Sequence, residues 1–270
     1  MTASLQKSFL LTDDELMAAA GRVGVHNFPT VLAVRPRHST LDRLSHALSE
    51  ATQALTRREL IVDGAVDADL VAILSVLQRP DRELAMRLVT PDGIARICVT
   101  RRGRLCVLAR RVAHEIALKI VGHSTELRDA AAALVAELPS TNAADVTPVG
   151  APLAAVTEYL SGTHDPGVLA DRIRALGAEP RAAMLLGSAL ASRQAFGEIV
   201  YYELDDEDDR IVRAPAAVGI FYTKRGRIVG APSASPAGQV WTTLKAGSDH
   251  AIGQAISQLV ELADEGWGDL

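Results

Sequence analysis

An α+β fold, with a central, mainly antiparallel sheet and two helical subdomains in quasi-twofold arrangement, is predicted by three observations. The chain carries one short segment twice, TRRGRL at Thr100 to Leu105 and TKRGRI at Thr223 to Ile228, nearly half the chain apart. Each copy lies between apolar stretches, and a Gly/Ser element follows each, Gly122-His123-Ser124 and Gly247-Ser248. Helical periodicity, then strands, then a closing helix recurs in the same order on both sides of the middle, as expected of two related halves of about 1–140 and 151–270.

Each copy reads as a hairpin, because a two-residue turn at Arg102-Gly103 or Arg225-Gly226 puts glycine where a positive φ is needed. That turn sets a register. Val99 then faces Cys106 and Ile97 faces Leu108 in the first copy, while Tyr222 faces Val229 and Ile220 faces Ala231 in the second. The closing helices carry their apolar residues on one stripe, at Leu127, Ala131, Leu134 and Leu138 and at Ile252, Ile256, Leu259 and Ala263. Ser124 and Ser248 are the expected N-caps.

Earlier in the chain, Lys7 to Leu11 reads as a strand, and Thr12 with Glu15 forms a capping box for a helix running to about Val23. Phe28 to Val34 reads as a strand or extended segment. Leu41, Leu44, Leu48, Ala51 and Leu55 mark a long amphipathic helix, and Leu70, Ile73, Leu74 and Leu77 a shorter one stopped at Pro80. Strands follow from about Glu83 to Ile120. Pro139 to Pro152, rich in Ser, Thr, Asn and Asp, is the expected linker. The second half then shows helices around Leu153 to Leu160, Leu169 to Leu176 and Ala183 to Leu190, and strands from Gly197 to Thr243. The two sheets are expected to join into one.

Composition narrows the function. The chain has 270 residues, 48% hydrophobic and 4% aromatic, enough to bury one large core or two smaller ones. A net charge of -5 with both signs interspersed lacks the basic stripe of a nucleic-acid binder. No segment resembles a signal peptide, no apolar run approaches the ~20 residues of a membrane span, and a cytoplasmic location is expected. Cys98 and Cys106 fall on opposite faces of the hairpin and read as small buried residues, neither disulfide-bonded nor near a histidine.

Catalytic and metal motifs are not found. The run Asp205-Asp206-Glu207-Asp208-Asp209 lacks the glycine and distal Glu of a calcium loop and reads as a solvated turn between strands. His164-Asp165 precedes Pro166 at a helix start, His114-Glu115 would point to opposite faces of a strand, and no HxH or HExxH occurs. GxSxG, GxxxxGK[ST] and GxGxxG are also missing, and APSASPAG, with Ser233 and Ser235, reads as a turn between strands. No catalytic residue, metal ligand or cofactor is assigned. Aromatic placement is more informative. Apart from Phe9 and Phe28, all of them lie from Tyr159 onward, and Tyr201 and Tyr202 must face opposite sides of one strand. An exposed aromatic is a favoured interface anchor.

Several segments in order along the chain resemble the EspG family, the cytoplasmic chaperones of type VII (ESX) secretion. They are Phe28-Pro29-Thr30-Val31-Leu32-Ala33-Val34, Arg79-Pro80-Asp81-Arg82 with Leu84, Glu198-Ile199-Val200, the stretch from Gly226 to Leu262, and Gly266-Trp267. Ala234, Leu244 and Ala246 depart from the family's usual basic residue, Phe and Pro. The resemblance implies a non-catalytic protein that grips the apolar tip of the PPE subunit in a PE/PPE heterodimer, keeps the pair soluble and directs it to its secretion system. The expected partner-binding residues are Phe196, Tyr201, Tyr202, Tyr222, Arg225 and Ser235. The other classes to weigh are a self-associating scaffold, forming a homodimer when free, and a small-molecule enzyme without a recognisable motif.

Overall fold

The computed structural model describes residues 7–205 and 210–268. In chain order the elements are β1 (Ser8–Thr12), α1 (Asp13–Arg22), a 3₁₀ turn (Thr30–Leu32), α2 (Leu41–Arg57), β2 (Ile61–Val62), β3 (Ala65–Val66), α3 (Ala68–Gln78), β4 (Arg82–Thr90), β5 (Gly93–Arg102), β6 (Leu105–Val112), β7 (Glu115–Gly122) and α4 (Leu127–Val135). Then come β8 (Val149–Pro152), α5 (Leu153–Leu160), α6 (Pro166–Ala175), α7 (Pro180–Ala191), β9 (Arg193–Asp205), β10 (Arg210–Arg213), β11 (Val218–Thr223), β12 (Gly226–Ala234), β13 (Val240–Ala246) and α8 (Asp249–Val260). The class is α+β, as predicted. Apart from the small hairpin β2–β3 and strand β10, the series β1 to α4 and β8 to α8 share one order of elements.

Two compact units are present. One holds the described residues up to Glu83 together with Ala95–Thr125, and the other Leu84–Ile94 and the described residues from Glu126 on. In the first unit the strands run in the order β1-β7-β6-β5, all antiparallel. Helices α1 to α3 cover one face, where Leu16, Leu55, Leu70, Leu74 and Leu77 pack on Cys98, Val107, Ile116 and Leu118. Full burial of each such leucine contributes about 1.5–3 kcal/mol. The Thr12 capping box is formed: Glu15 N–H donates to Thr12 Oγ1 (3.2 Å) and Thr12 N–H to Glu15 Oε2 (2.8 Å).

In the second unit the order is β9-β11-β12-β13-β8, with β10 on β9, again antiparallel. Edge strand β8 pairs with β13 here as β1 pairs with β7 in the first unit. Helix α8, capped by Ser248 Oγ accepting from Ala251 N–H (3.1 Å), buries Ile252, Ile256 and Leu259 and packs on β12. Helices α5 to α7 share a core with Val149, Ile228 and Leu244 of the sheet.

Several local expectations are corrected. Both hairpins form, but each register lies two residues from the one expected. The first turns at Gly103-Arg104, pairing Arg102 with Leu105, Val99 with Leu108 and Ile97 with Arg110. Gly103 (φ 55°) takes the first turn position, where its N–H donates to Asp81 Oδ2 (2.6 Å) and its carbonyl accepts from Arg101 Nη1 (2.6 Å). The second turns at Lys224-Arg225, pairing Thr223 with Gly226 and Tyr222 with Arg227. There Thr223 Oγ1 braces the turn, accepting from Arg225 N–H (3.1 Å) and donating to the Gly226 carbonyl (2.7 Å).

Helix α4 starts after Glu126 rather than at Ser124. Phe28 to Val34 is no strand: its centre is the 3₁₀ turn, ended by Ala33 at φ 49°. Ala231 to Ala234 extends β12, and only Ser235 to Gln239 forms the turn, closed by Ser235 N–H to the Gln239 carbonyl (2.8 Å). His114 lies in the β6–β7 turn, with Nδ1 3.4 Å from Asp13 Oδ2. Of the acidic run, Asp205 ends β9, and positions 206–209 lie outside the described residues.

The expected linker is pinned down. Arg227 N–H donates to the Asn142 carbonyl (2.8 Å) and Ala144 N–H to the Arg227 carbonyl (2.9 Å), and Val149 to Pro152 is already β8. Gly226 (φ 110°) permits this approach, since a Cβ there would stand 2.7 Å from the Ala144 nitrogen. Buried Arg227 completes the clasp through Nε to the Gly247 carbonyl (2.6 Å) and an ion pair with Asp249.

Candidate partner-binding cleft

The second unit contains an apolar cleft of about 540 Å³ between α5, the start of α6 and the sheet. Its floor is hollow for a sequence reason. Gly219 and Gly230 are cross-strand partners on β11 and β12 and carry no side chain, and the Phe221 ring leans over Gly219, 3.2 Å from where a Cβ would stand. Beside them Phe196 and Phe221 are also paired, their ring centroids 5.3 Å apart and tilted by 49°. Leu153, Val156, Leu160, Leu169 and Leu190 form the walls, with Leu244 and Thr242 from β13 below.

The helical wall is fixed locally. Asp165 caps α6 by accepting from Val168 N–H (2.8 Å), with Pro166 in the first turn. Arg172 Nη1 donates to the carbonyls of Tyr159 (3.0 Å) and Ser161 (2.9 Å), tying the end of α5 to α6. Helix α7 packs closely on α6 at Gly187, where a Cβ would lie 2.7 Å from the Ala170 nitrogen. The polar groups of the cleft include Arg193, Arg213, Glu198 and His164. An apolar hollow with a few charged groups at its edge suits an apolar ligand surface.

Of the six expected partner-binding residues, the structure brings two onto this side of the sheet. Phe196 lines the cleft, and Tyr202, half-buried, lies further along β9 on the same alternating face and pairs with Arg213. Tyr201 is instead fully buried, its ring 6.3 Å from Trp267 and its hydroxyl donating to the Glu265 carbonyl (3.2 Å). It is part of the core because the C-terminal segment covers that face of β9. Tyr222 points away from the cleft, its hydroxyl donating to the Pro139 carbonyl (3.3 Å) and its ring 5.8 Å from the Arg227 guanidinium. Burial, more than any other influence, raises its phenol above the ordinary value. Arg225 is exposed at the hairpin tip, and Ser235 lies in the β12–β13 turn. The glycine pair and Phe221 were missed by sequence reasoning. Their signal was two glycines inside apolar strands, which marks a close approach or an opening.

The strongly shifted acids lie elsewhere. In the first unit, burial pushes the Glu83 carboxyl up to about 7. Burial and the Glu83 charge push the Cys98 thiol well above its ordinary value, so it is no activated thiolate. Both cysteines are free and buried. No group of three or more His, Cys, Asp or Glu able to hold a metal occurs among the described residues.

Residues 12–258 match the EspG family. The chain belongs to it. This EspG-family chain is 29% identical over 253 residues to the ESX-3 secretion-associated protein EspG3 of Mycolicibacterium smegmatis, covering 92% of this chain and 85% of that one. Among solved structures it is similar to the Mycobacterium tuberculosis type VII secretion system chaperone EspG5 in complex with the PE25-PPE41 dimer. The TM-score is 0.80 at 17% identity, over 97% of this chain and 99% of that one. The EspG fold is therefore shared, and with it the α+β plan read from the sequence.

Proposed function

We propose that this EspG-family chain is a type VII (ESX) secretion chaperone that binds the apolar tip of the PPE subunit of a PE/PPE heterodimer, keeps the pair soluble and targets it for export. The observation that carries this reading is the family match over nearly the whole chain. The like-folded EspG5, solved with a PE/PPE dimer, supports it. The cleft supplies the physics: an exposed apolar tip drives aggregation, and covering it in a hollow lined by Phe196, Phe221 and five wall side chains removes that surface from water. The charged rim suits an interface that must later release.

In this reading the protein is not an enzyme and works in the cytoplasm. No described helix is long and apolar enough to cross a membrane. It is one EspG-like domain of two pseudo-symmetric halves, supported by the repeated element order. Phe196 is the anchor of the site, with Tyr202 further along the same face of β9, and Arg225 and Ser235 mark its outlying turns.

Co-expression with a neighbouring PE/PPE pair should yield a 1:1:1 complex by size-exclusion chromatography with light scattering. Phe196→Ala should weaken that complex about tenfold or more, as for loss of a central aromatic anchor, with the fold intact by circular dichroism. Failure to co-purify with any PE/PPE pair of its own genome would refute the proposal.

A further inference from the structure

After α8, residues 261–268 form neither helix nor strand, yet Trp267 is only 2% exposed. Chain without regular structure keeps its place only where side chains and backbone bonds tie it down. Here the ties fall on two successive residues of one face of β9. The Trp267 ring stands 6.3 Å from that of Tyr201, the Tyr201 hydroxyl donates to the Glu265 carbonyl (3.2 Å), and Glu265 N–H donates to Oε2 of the buried Glu203 (2.9 Å).

Those ties lie behind the stretch of β9 that has least to hold it. On one side β9 pairs with β11 as far as Ile199, and beyond that point its neighbour on this side is the four-residue β10. Val212 pairs with Glu203, Arg213 with Tyr202, and Ala214 N–H donates to the Tyr201 carbonyl (3.0 Å). A short strand pair gains little from its own backbone bonds and needs a covered face. Strand β10 brings little burial of its own, since Ile211 is 63% exposed and Arg210 and Arg213 are exposed as well. Yet this stretch carries Arg213, which lines the cleft, and Tyr202, which faces the same way.

We infer that residues 261–267 are a positioning strap: by gripping the back of β9 they set where Tyr202 and Arg213 stand, and so how tightly the partner is held. Trp267 is the positioning residue. It acts through Tyr201 and Glu203, on the face of the sheet opposite to Phe196. Its Nε1 is buried with no hydrogen-bond partner among the described residues. An unsatisfied donor weakens the docking, so the strap uses the bulk of the ring and not its N–H. The inference rests on the chaperone reading for the identity of the partner, but the grip on the hairpin is tested apart from it.

Trp267→Ala in the full chain should speed amide hydrogen exchange at Val212 and Ala214 about tenfold or more, leave exchange at Ile173 of α6 and Leu186 of α7 unchanged, and weaken the PE/PPE complex about tenfold. Trp267→Phe keeps a ring and drops the unsatisfied donor, and should bring both readouts back to within about twofold of wild type. Tyr201→Phe removes one hydroxyl without disturbing the packing. It should speed exchange at the same two amides about threefold, and it carries the comparison if the alanine variant does not fold. Wild-type exchange at Val212 and Ala214 in the folded variants overturns the inference. Faster exchange with an unchanged PE/PPE affinity also overturns it and leaves the chaperone reading standing. The expected exchange pattern in a chain that binds no PE/PPE pair overturns the chaperone reading and the link to that partner, while the grip on β10 stands.

Discussion

Raising the pH from about 5 to about 8 should cost the fold on the order of 3 kcal/mol through Glu83 alone. This carboxyl is buried, its Oε1 has no hydrogen-bond partner, and burial pushes it up to about 7 from an ordinary value of 4.5. A raised carboxyl favours the folded state only while it keeps its proton. Below the unfolded value both states are protonated and the contribution is fully present. Between about 4.5 and 7 the unfolded chain releases the proton and the folded chain holds it, so stability falls by up to about 1.4 kcal/mol per pH unit. Above about 7 the loss is complete and constant. Glu83→Gln keeps the shape and removes the titration, so the variant should match wild type near pH 4.5 and exceed it by about 2–3 kcal/mol at pH 8. Urea unfolding at several pH values gives both curves. A difference between the two proteins that does not change over this window would refute the argument, because it would mean that Glu83 titrates alike folded and unfolded.

The two hairpin glycines should respond differently to one change. Gly226→Ala meets the Ala144 nitrogen at 2.7 Å as well as an unfavourable φ, and should cost about 3 kcal/mol or more, whereas Gly103→Ala has open space and should cost about 1 kcal/mol by thermal unfolding. Equal costs would dismiss the docked linker as a source of strain. Arg227→Met keeps the packed stem and the backbone bonds to Asn142 and Ala144 but strands the Gly247 carbonyl and removes the ion pair with Asp249. It should lose about 2 kcal/mol in urea unfolding, and an unchanged stability would argue against the side-chain part of the clasp.

Much of the architecture was legible because its signals are local. The Thr12–Glu15 box, the Asp165-Pro166 start and the Ser248 cap are set by residues within one turn of each other, and all three form. Hairpin register was not legible, because sliding the turn by two residues around an Arg-Gly pair keeps every apolar side chain on the same face. The second hairpin's turn is fixed instead by Thr223 Oγ1, which bonds Arg225 and Gly226, and by the bonds of Arg227 to Asn142 and Ala144, which are distant in sequence. That slip hid the cleft. With Tyr222 opposite Val229, Gly219 would face Pro232, and only the true pairing sets Gly219 against Gly230. Phe28 to Val34 looked extended because it is apolar and β-branched, but Arg96 and Arg111 draw its carbonyls into a turn. Tyr201 was misread for a similar reason, since Trp267, far along the chain, covers it.

The twin hairpins differ by more than their neighbours. Thr100 pairs with Val107, whereas its counterpart Thr223 pairs with Gly226 rather than Gly230, a displacement of four positions between copies of one motif. Displacements by an even number conserve which residues look inward, so a duplicated strand pair can drift in steps of two while each intermediate remains foldable. An odd step would turn the core outward at once. A pair of copies can therefore diverge in loop length and in what each hairpin tip touches, one meeting an aspartate and the other a linker, without passing through an unfolded ancestor.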